Sequence, residues 1–252
     1  MSVFEVDCDG FGRLRFPGGL PNENHDLLVR ANGLVHDHRH APDVLVFFDS
    51  RGISAQYEGS LAHRVVQHLD KQNQRYVLVC RPLDLTTWAT LLNFLVANAL
   101  EPRHIVTNMG FVDFTPKKQS ILEDAIRQVE TRLGSGIAGS RFVERYAASG
   151  GEEIPLFSMT YGEEYRQSIE AVAAATPLLV VNTPQVSPDI RVPRQRPAAF
   201  FEALGLTKRF NQSIRGADVV DLPDFDERLT YDAVHYTNAG NQLIFEKIQT
   251  HL

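Results

Sequence analysis

The chain of 252 residues has only two cysteines, Cys8 and Cys80, far apart and with Cys80 closing an apolar run. Two thiols so placed argue against a disulfide framework or a cysteine-rich zinc site, and they fit a reducing compartment. Basic residues are also in deficit. The formal charge of −6 argues against a protein that coats nucleic acid, which needs Lys and Arg in excess over a face. Long hydrophobic runs are missing as well, since stretches such as LLNFLVANAL are too short to span a bilayer. The opening MSVFEVDCDGFGRLRF carries acidic residues where a secretory signal has a continuous apolar core. The expectation is a cytoplasmic protein with neither membrane nor nucleic acid as partner; oligomeric state is left open.

Internal repeats and low-complexity linkers are absent too. What is present is ordinary globular composition, with 43% hydrophobic and 22% charged residues, in a length that can bury a core as one domain spanning 1–252. Residues 1–40 carry scattered Gly, Pro, Asn and His with short apolar pieces and read as an irregular or short-stranded lead-in. From Asp43 the pattern sharpens. VLVFF is a continuous apolar run of the kind a buried central strand has, followed at once by Asp49, Ser50, Arg51 and Gly52.

Tyr57, Leu61, Val65 and Leu69 then recur four apart, which predicts a helix. RYVLVC reads as a second strand, Asp84 as the cap of a helix over LTTWATLLNFLVANAL, and RHIVTN as a third strand. ILEDAIRQVETRL and YGEEYRQSIEAVAAA read as helices, PLLVVN and ADVVDL as the fourth and fifth strands, and the segment after Asn238 as a closing helix. This alternation predicts a three-layer αβα, flavodoxin-like fold around a five-stranded, mostly parallel sheet, with ligands beyond the carboxyl ends of its strands.

Ser50 and Asn108 fall at such ends. Ser50 follows a buried strand and precedes a helix, so its hydroxyl is presented at the sheet edge near helix N-terminal amides that stabilise an oxyanion. Taken alone it reads first as an ordinary helix cap. Asp232 precedes His235 by three residues on a polar turn, within reach of Nδ1, which leaves Nε2 free to take a proton from a serine. Asp and His are also frequent in turns, so this pair too is only suggestive by itself.

Together the residues resemble the SGNH, or GDSL-type, hydrolase family. Asp49-Ser50 after the first strand, Asn108 after the third and Asp232-Ala233-Val234-His235 before the last helix match its motifs in order, over most of residues 43–250. The resemblance implies a serine hydrolase without metal or cofactor, cleaving an acyl or acetyl ester of a small polar or carbohydrate substrate. Ser50 is then the nucleophile, His235 the general base, and Asp232 the residue that orients the imidazole. The oxyanion hole combines the backbone N–H of Ser50 with the Asn108 amide. The chain departs from the pattern at Phe48, Val106 and Met109. It also has no Gly from Ser60 through Met109, so the family's glycine after the second strand is replaced by Cys80-Arg81-Pro82-Leu83-Asp84. Two other readings stay open: an acyltransferase using the same acyl-enzyme, and a noncatalytic binding module on this fold.

Other signals carry less. Gly134-Ser135-Gly136-Ile137-Ala138-Gly139 has the spacing of a dinucleotide fingerprint but follows a helix where a strand is needed, so it reads as a flexible connection. His36, His38 and His40 alternate as zinc ligands could, but also as a solvated turn does. His63 and His68, five apart, read as surface residues. Arg191, Arg194, Arg196, Lys208, Arg209 and Arg215 fall within 25 residues holding one acid, Glu202. The cluster is either a solvated basic face or, in part, a site for an anionic group of the substrate. Arg81, Arg191 and Arg194 are the candidate substrate-binding residues.

Overall fold

A computed structural model describes residues 3–8, 12–17, 28–32, 41–53, 56–81, 85–147, 153–193 and 196–252. The chain opens with strands β1 (Val3–Cys8), β2 (Gly12–Pro17) and β3 (Leu28–Ala31), then β4 (Val44–Phe48) and a 3-10 turn over Ser50–Gly52. Helix α1 (Leu61–Lys71), β5 (Tyr76–Cys80), α2 (Trp88–Ala97), β6 (His104–Thr107), the short α3 (Phe111–Phe114) and α4 (Gln119–Leu133) follow. A hairpin of β7 (Ala138–Ala147) and β8 (Glu153–Tyr161) precedes α5 (Glu163–Ala175), β9 (Leu178–Val181), α6 (Ala198–Gln212), β10 (Ala217–Val220) and α7 (Asn238–Ile248).

The α/β architecture expected from the alternation is present, with one correction: the central sheet has six strands, not five, in the order β10-β9-β6-β4-β5-β3. The added strand is β3, which pairs antiparallel with β5 from Leu28 opposite Cys80 to Ala31 opposite Val77. Its four residues, Leu-Val-Arg-Ala, are too short a pattern to stand out, and pairing with β5 is what makes them a strand. The other neighbours pair parallel.

Two apolar layers flank this sheet because alternate strand residues face opposite sides. Leu45 and Phe47 of β4 pack with Trp88, Leu91 and Leu95 of α2, Leu122 and Val129 of α4, and Ile169 of α5. Val44, Val46 and Phe48 pack instead with Leu61, Val65 and Leu69 of α1, Leu204 of α6 and Ile244 of α7. All five residues of β4 are buried, which accounts for the unbroken apolar run VLVFF.

Helix starts differ locally from expectation. Tyr57 lies ahead of α1, whose N-cap is Ser60, accepting from the His63 N–H. Helix α2 is capped by a Thr87/Thr90 box, so the helix begins at Trp88; Asp84 lies outside the described residues, as do His36, His38 and His40. The glycine-rich segment 134–139 turns from α4 into β7, a connection and not a strand-to-helix phosphate loop. No helix among the described residues is long and apolar enough to cross a membrane.

Strand order places the site. The chain passes from β4 through α1 to β5 on one side, then crosses through α2 to β6 on the other. The sheet therefore reverses direction of winding between β4 and β6, and the crevice at such a point opens at the strands' carboxyl ends. Ser50 and Asn108 lie there.

Candidate active site

Ser50 begins the 3-10 turn that follows β4. Asp49 caps that turn by accepting from the Arg51 N–H through its side chain. Gly52 closes the turn, and a Cβ there would come within 2.5 Å of Phe48 Cβ, so only glycine lets the chain fold back this tightly.

His235 and Asp232 sit on the loop before α7. The loop is pinned at its base by the Thr237 N–H to the Leu229 carbonyl at 3.0 Å and the Tyr231 N–H to the His235 carbonyl at 3.2 Å. The Thr230 hydroxyl adds a bond to the same His235 carbonyl at 2.8 Å. Thr237 caps α7 by accepting from the Gly240 N–H. Gly240 is itself required, since a Cβ would stand 2.2 Å from the Leu229 carbonyl oxygen. Ala233 takes a positive φ of 66° within this loop, bending the chain so that both Asp232 and His235 turn inward.

The result is a continuous hydrogen-bonded line. His235 Nε2 lies 3.2 Å from Ser50 Oγ, and His235 Nδ1 lies 2.9 Å from Asp232 Oδ2. Asp232 Oδ1 accepts the backbone N–H groups of Val234 and His235 at 2.9 and 2.7 Å. Tyr231 stacks on the imidazole with its ring centroid 5.7 Å away and a 16° tilt. A neutral imidazole with Nδ1–H directed at the carboxylate presents its Nε2 lone pair to the serine hydroxyl, which is the arrangement proton abstraction needs.

Burial works against the Asp232 charge, but hydrogen bonds from the His235 side chain and from the His235 and Val234 backbone outweigh it and hold the carboxyl pKa at about 2. Its side chain is 18% exposed. Because this pKa lies below the unfolded value, the ionised carboxylate stabilises the fold fully above about pH 4, and that contribution is lost as pH falls toward 2. Asp232→Asn is therefore expected to cost about 2 kcal/mol at pH 7 and progressively less between pH 4 and 2. Urea denaturation of both proteins across this range measures it; a cost that stays constant with pH would contradict the assignment.

Beneath Ser50 lies a buried ion pair. Asp49 and Arg51 have side chains 1% and 2% exposed, with Arg51 Nη2 2.8 Å from Asp49 Oδ2 and Nε within hydrogen-bond distance of both carboxylate oxygens. Arg51 Nη1 donates to Thr183 Oγ1 at 2.9 Å, and Nη2 reaches the Asn108 carbonyl. One guanidinium thus ties together the residues just beyond β4, β6 and β9. Burial opposes its charge, but Asp49 and the Tyr236 hydroxyl outweigh burial and raise its pKa above the ordinary arginine value. The Phe111 ring lies 4.6 Å from the guanidinium carbon, a cation–π contact.

Asn108 belongs to this same cluster. Its Oδ1 accepts from the Asp49 N–H at 2.8 Å, and its Nδ2 donates to Asp49 Oδ1 at 3.1 Å. One amide hydrogen is thereby engaged on Asp49 and the other is available to a second acceptor. Arg81 follows β5 with φ of 51° and donates its N–H to the Phe48 carbonyl at 2.8 Å. This left-handed backbone falls beside Pro82, where a glycine was expected from the resemblance; Pro82, Leu83 and Asp84 lie outside the described residues.

The basic cluster divides. Arg196 reaches Asp232, with Nη2 3.0 Å from Oδ2, whereas Arg215 is bound to Glu170 of α5 at 2.9 Å, ahead of β10 and away from the strands' carboxyl ends. Arg191 is exposed on the segment between β9 and α6, and Arg194 lies outside the described residues. Sequence reasoning found the triad candidates but passed over Arg51 and the Arg196 contact. Arg51 carried a usable signal, a charge beside a wholly apolar strand that has to be paired if buried. Arg196 carried none, because its partner is 36 residues away.

A cavity of about 180 Å³ adjoins the loop that carries Asp232 and His235, lined by Gln56, Glu58, Ser60, Tyr231, Thr237 and Asn241 among others. The lining side chains are mostly of polar types, but the surface they turn to the cavity is mainly apolar. It reaches His235 through Tyr231, whose ring stacks on the imidazole.

No family model matches the chain, and no curated protein matches it in sequence. Solved structures give distant likenesses. The chain is similar to TesA at 14% identity, over 82% of this chain and 96% of that one, with a TM-score of 0.44. A protein from Desulfitobacterium hafniense DCB-2, assigned to the G-D-S-L lipolytic family, is 14% identical over 83% of this chain and 98% of its own, with a TM-score of 0.45. A family two carbohydrate esterase from Clostridium thermocellum, solved with cellohexaose, is 8% identical over 84% of this chain and 64% of its own, with a TM-score of 0.42. At these values the likeness is one of general chain course. What the site can do is decided by its own residues.

Proposed function

We propose that the protein is a serine esterase acting on an acyl or acetyl ester of a small polar molecule. The observation that carries this is the unbroken line from Ser50 Oγ through His235 Nε2 and Nδ1 to Asp232 Oδ2, at 3.2 and 2.9 Å. In the first half-reaction His235 takes the hydroxyl proton as Ser50 Oγ attacks the ester carbonyl. The tetrahedral oxyanion is met by the Ser50 N–H and by the Asn108 amide hydrogen not engaged on Asp49. Collapse expels the alcohol, which takes its proton from His235 Nε2, and leaves an acyl-Ser50 ester. Water, deprotonated by His235, then attacks that ester; release of the acid restores the hydroxyl. Asp232 stabilises the imidazolium in both steps without itself taking the proton.

The cavity beside Tyr231 is of a size for a small alcohol portion, with hydroxyl, amide and carboxylate side chains set along a mainly apolar wall. An anionic substituent is part of the proposal only through Arg191 and Arg194, whose segment leads from β9 to α6. The same acyl-enzyme passed to an alcohol would make the protein a transferase, since water and alcohol use one base.

A fluorophosphonate probe tests the reaction class. The wild-type protein is expected to form one covalent adduct, located on Ser50 by peptide mass spectrometry, and His235→Ala is expected to react slowly. An unlabelled wild type, or an adduct elsewhere, would leave a noncatalytic binding module as the better reading.

A further inference from the structure

Asp232 carries more than a triad carboxylate requires. Its Oδ1 is filled by two backbone N–H groups. Its Oδ2 accepts two donors at once, His235 Nδ1 at 2.9 Å and Arg196 Nη2 at 3.0 Å. Arg196 Nε also donates to the Asp232 carbonyl at 3.1 Å, so one planar guanidinium grips the side chain and the main chain of the same residue. Such a two-point contact fixes orientation as well as distance.

Arg196 is itself held. Its guanidinium carbon lies 5.1 Å from the centroid of the Phe200 ring. It precedes Pro197, the N-cap of α6, and the first turn of that helix is anchored by Glu144 of β7, which accepts the Ala199 N–H at 2.8 Å. The Arg196 and Asp232 side chains are 11% and 18% exposed, so water screens their interaction only weakly.

A permanent cation therefore shares the oxygen on which the imidazolium would rest. It holds the Asp232 carboxylate in place whether or not His235 carries a proton. We propose that Arg196 is a positioning residue that locks the Asp232 carboxylate in line with His235 Nδ1. The proposal rests on the Ser50–His235–Asp232 reading above. Among the described residues, the charged and titratable groups around the imidazole come from three segments. Asp232, Tyr231 and Tyr236 belong to its own loop; the Asp49–Arg51 pair lies beneath Ser50 after β4; Arg196 comes from the segment ahead of α6. Asp49 and Arg51 are paired with each other, and Arg196 is the arginine in contact with Asp232.

The test uses the full chain with Arg196→Gln, Arg196→Met and Arg196→Lys, and follows the His235 Nδ1–H resonance by proton–nitrogen NMR. In Arg196→Gln that resonance is expected to broaden and move upfield as its hydrogen bond to Asp232 loosens; in Arg196→Lys, which keeps the charge, it is expected to stay near wild type. With it kcat falls about 3–10-fold and KM is unchanged, since the carboxylate loses a point of orientation. Arg196→Met, which preserves packing on Phe200 without charge, gives the same change should the glutamine variant not fold. An unmoved resonance in the folded neutral variants overturns the proposal. So does a raised KM with kcat unchanged, which would make Arg196 a substrate contact. The NMR readout needs no turnover, and failure of the esterase reading would appear separately as wild type that the fluorophosphonate does not label.

Discussion

Replacing Ser50 by alanine is expected to lower kcat/KM for an activated acetyl ester by about 10⁴-fold or more, with thermal unfolding unchanged. The size follows from how a triad works: nucleophile and base act as one unit, so removing either forfeits covalent catalysis entirely and leaves only binding and oxyanion stabilisation. His235→Ala is expected to match Ser50→Ala, and the double variant to be no worse than either single one. Asp232→Ala is expected to cost less, on the order of 10⁴ at most, because Ser50 and the imidazole remain in place and only tautomer and orientation suffer. Steady-state hydrolysis of 4-nitrophenyl acetate measures the wild type and all four variants. Equal rates in wild type and Ser50→Ala would end the esterase reading. Losses that multiply in the double variant would show that the two residues do not act in one step.

The second large effect is on stability. Arg51→Leu is expected to destabilise the fold by about 3–5 kcal/mol, because it strands the Asp49 carboxylate at 1% exposure with its charge uncompensated. In a domain of this size that corresponds to a Tm lower by roughly 10 °C. The decisive comparison is with Asp49→Leu/Arg51→Leu. Removing both charges removes the stranded ion, so the double variant is expected to be more stable than Arg51→Leu alone. Urea unfolding of the three proteins reads this directly; a double variant less stable than Arg51→Leu would mean that the pair's hydrogen bonds to Asn108 and Thr183 matter more than its charge. The pair bears on function as well. It joins the chain just beyond β4, β6 and β9 under Ser50, so on the esterase proposal the folded fraction of Arg51→Leu is expected to hydrolyse esters more slowly.

Much of the framework is legible in the linear order of residues, for identifiable reasons. VLVFF, RYVLVC and PLLVVN announce buried parallel strands because both their faces are covered, and an unbroken apolar run has few other uses. Ser50 and Asn108 are legible because they end such runs, and Asp232 with His235 because three residues bring them within reach of each other on a single turn. β3 and the β7–β8 hairpin escaped notice for the opposite reason. The four residues of β3 become a strand only by pairing with β5, and β7 and β8 bury few of their side chains, so neither leaves a clean period in the sequence.

The candidate site divides along the same line. Residue types and local spacing were enough to nominate a nucleophile, a base and the base's partner, since each depends on neighbours within a few positions. Whether Ser50 meets His235, 185 residues later, depended on Gly240 letting α7 close against Leu229, and on the switch in winding between β4 and β6. That Asn108 is tied to Asp49, that Arg51 binds three strand ends together, and that Arg196 rather than its neighbours grips Asp232 were decided only by tertiary structure. Each is a contact between segments far apart in the chain, and for such contacts sequence supplies the chemical groups but not the distances between them.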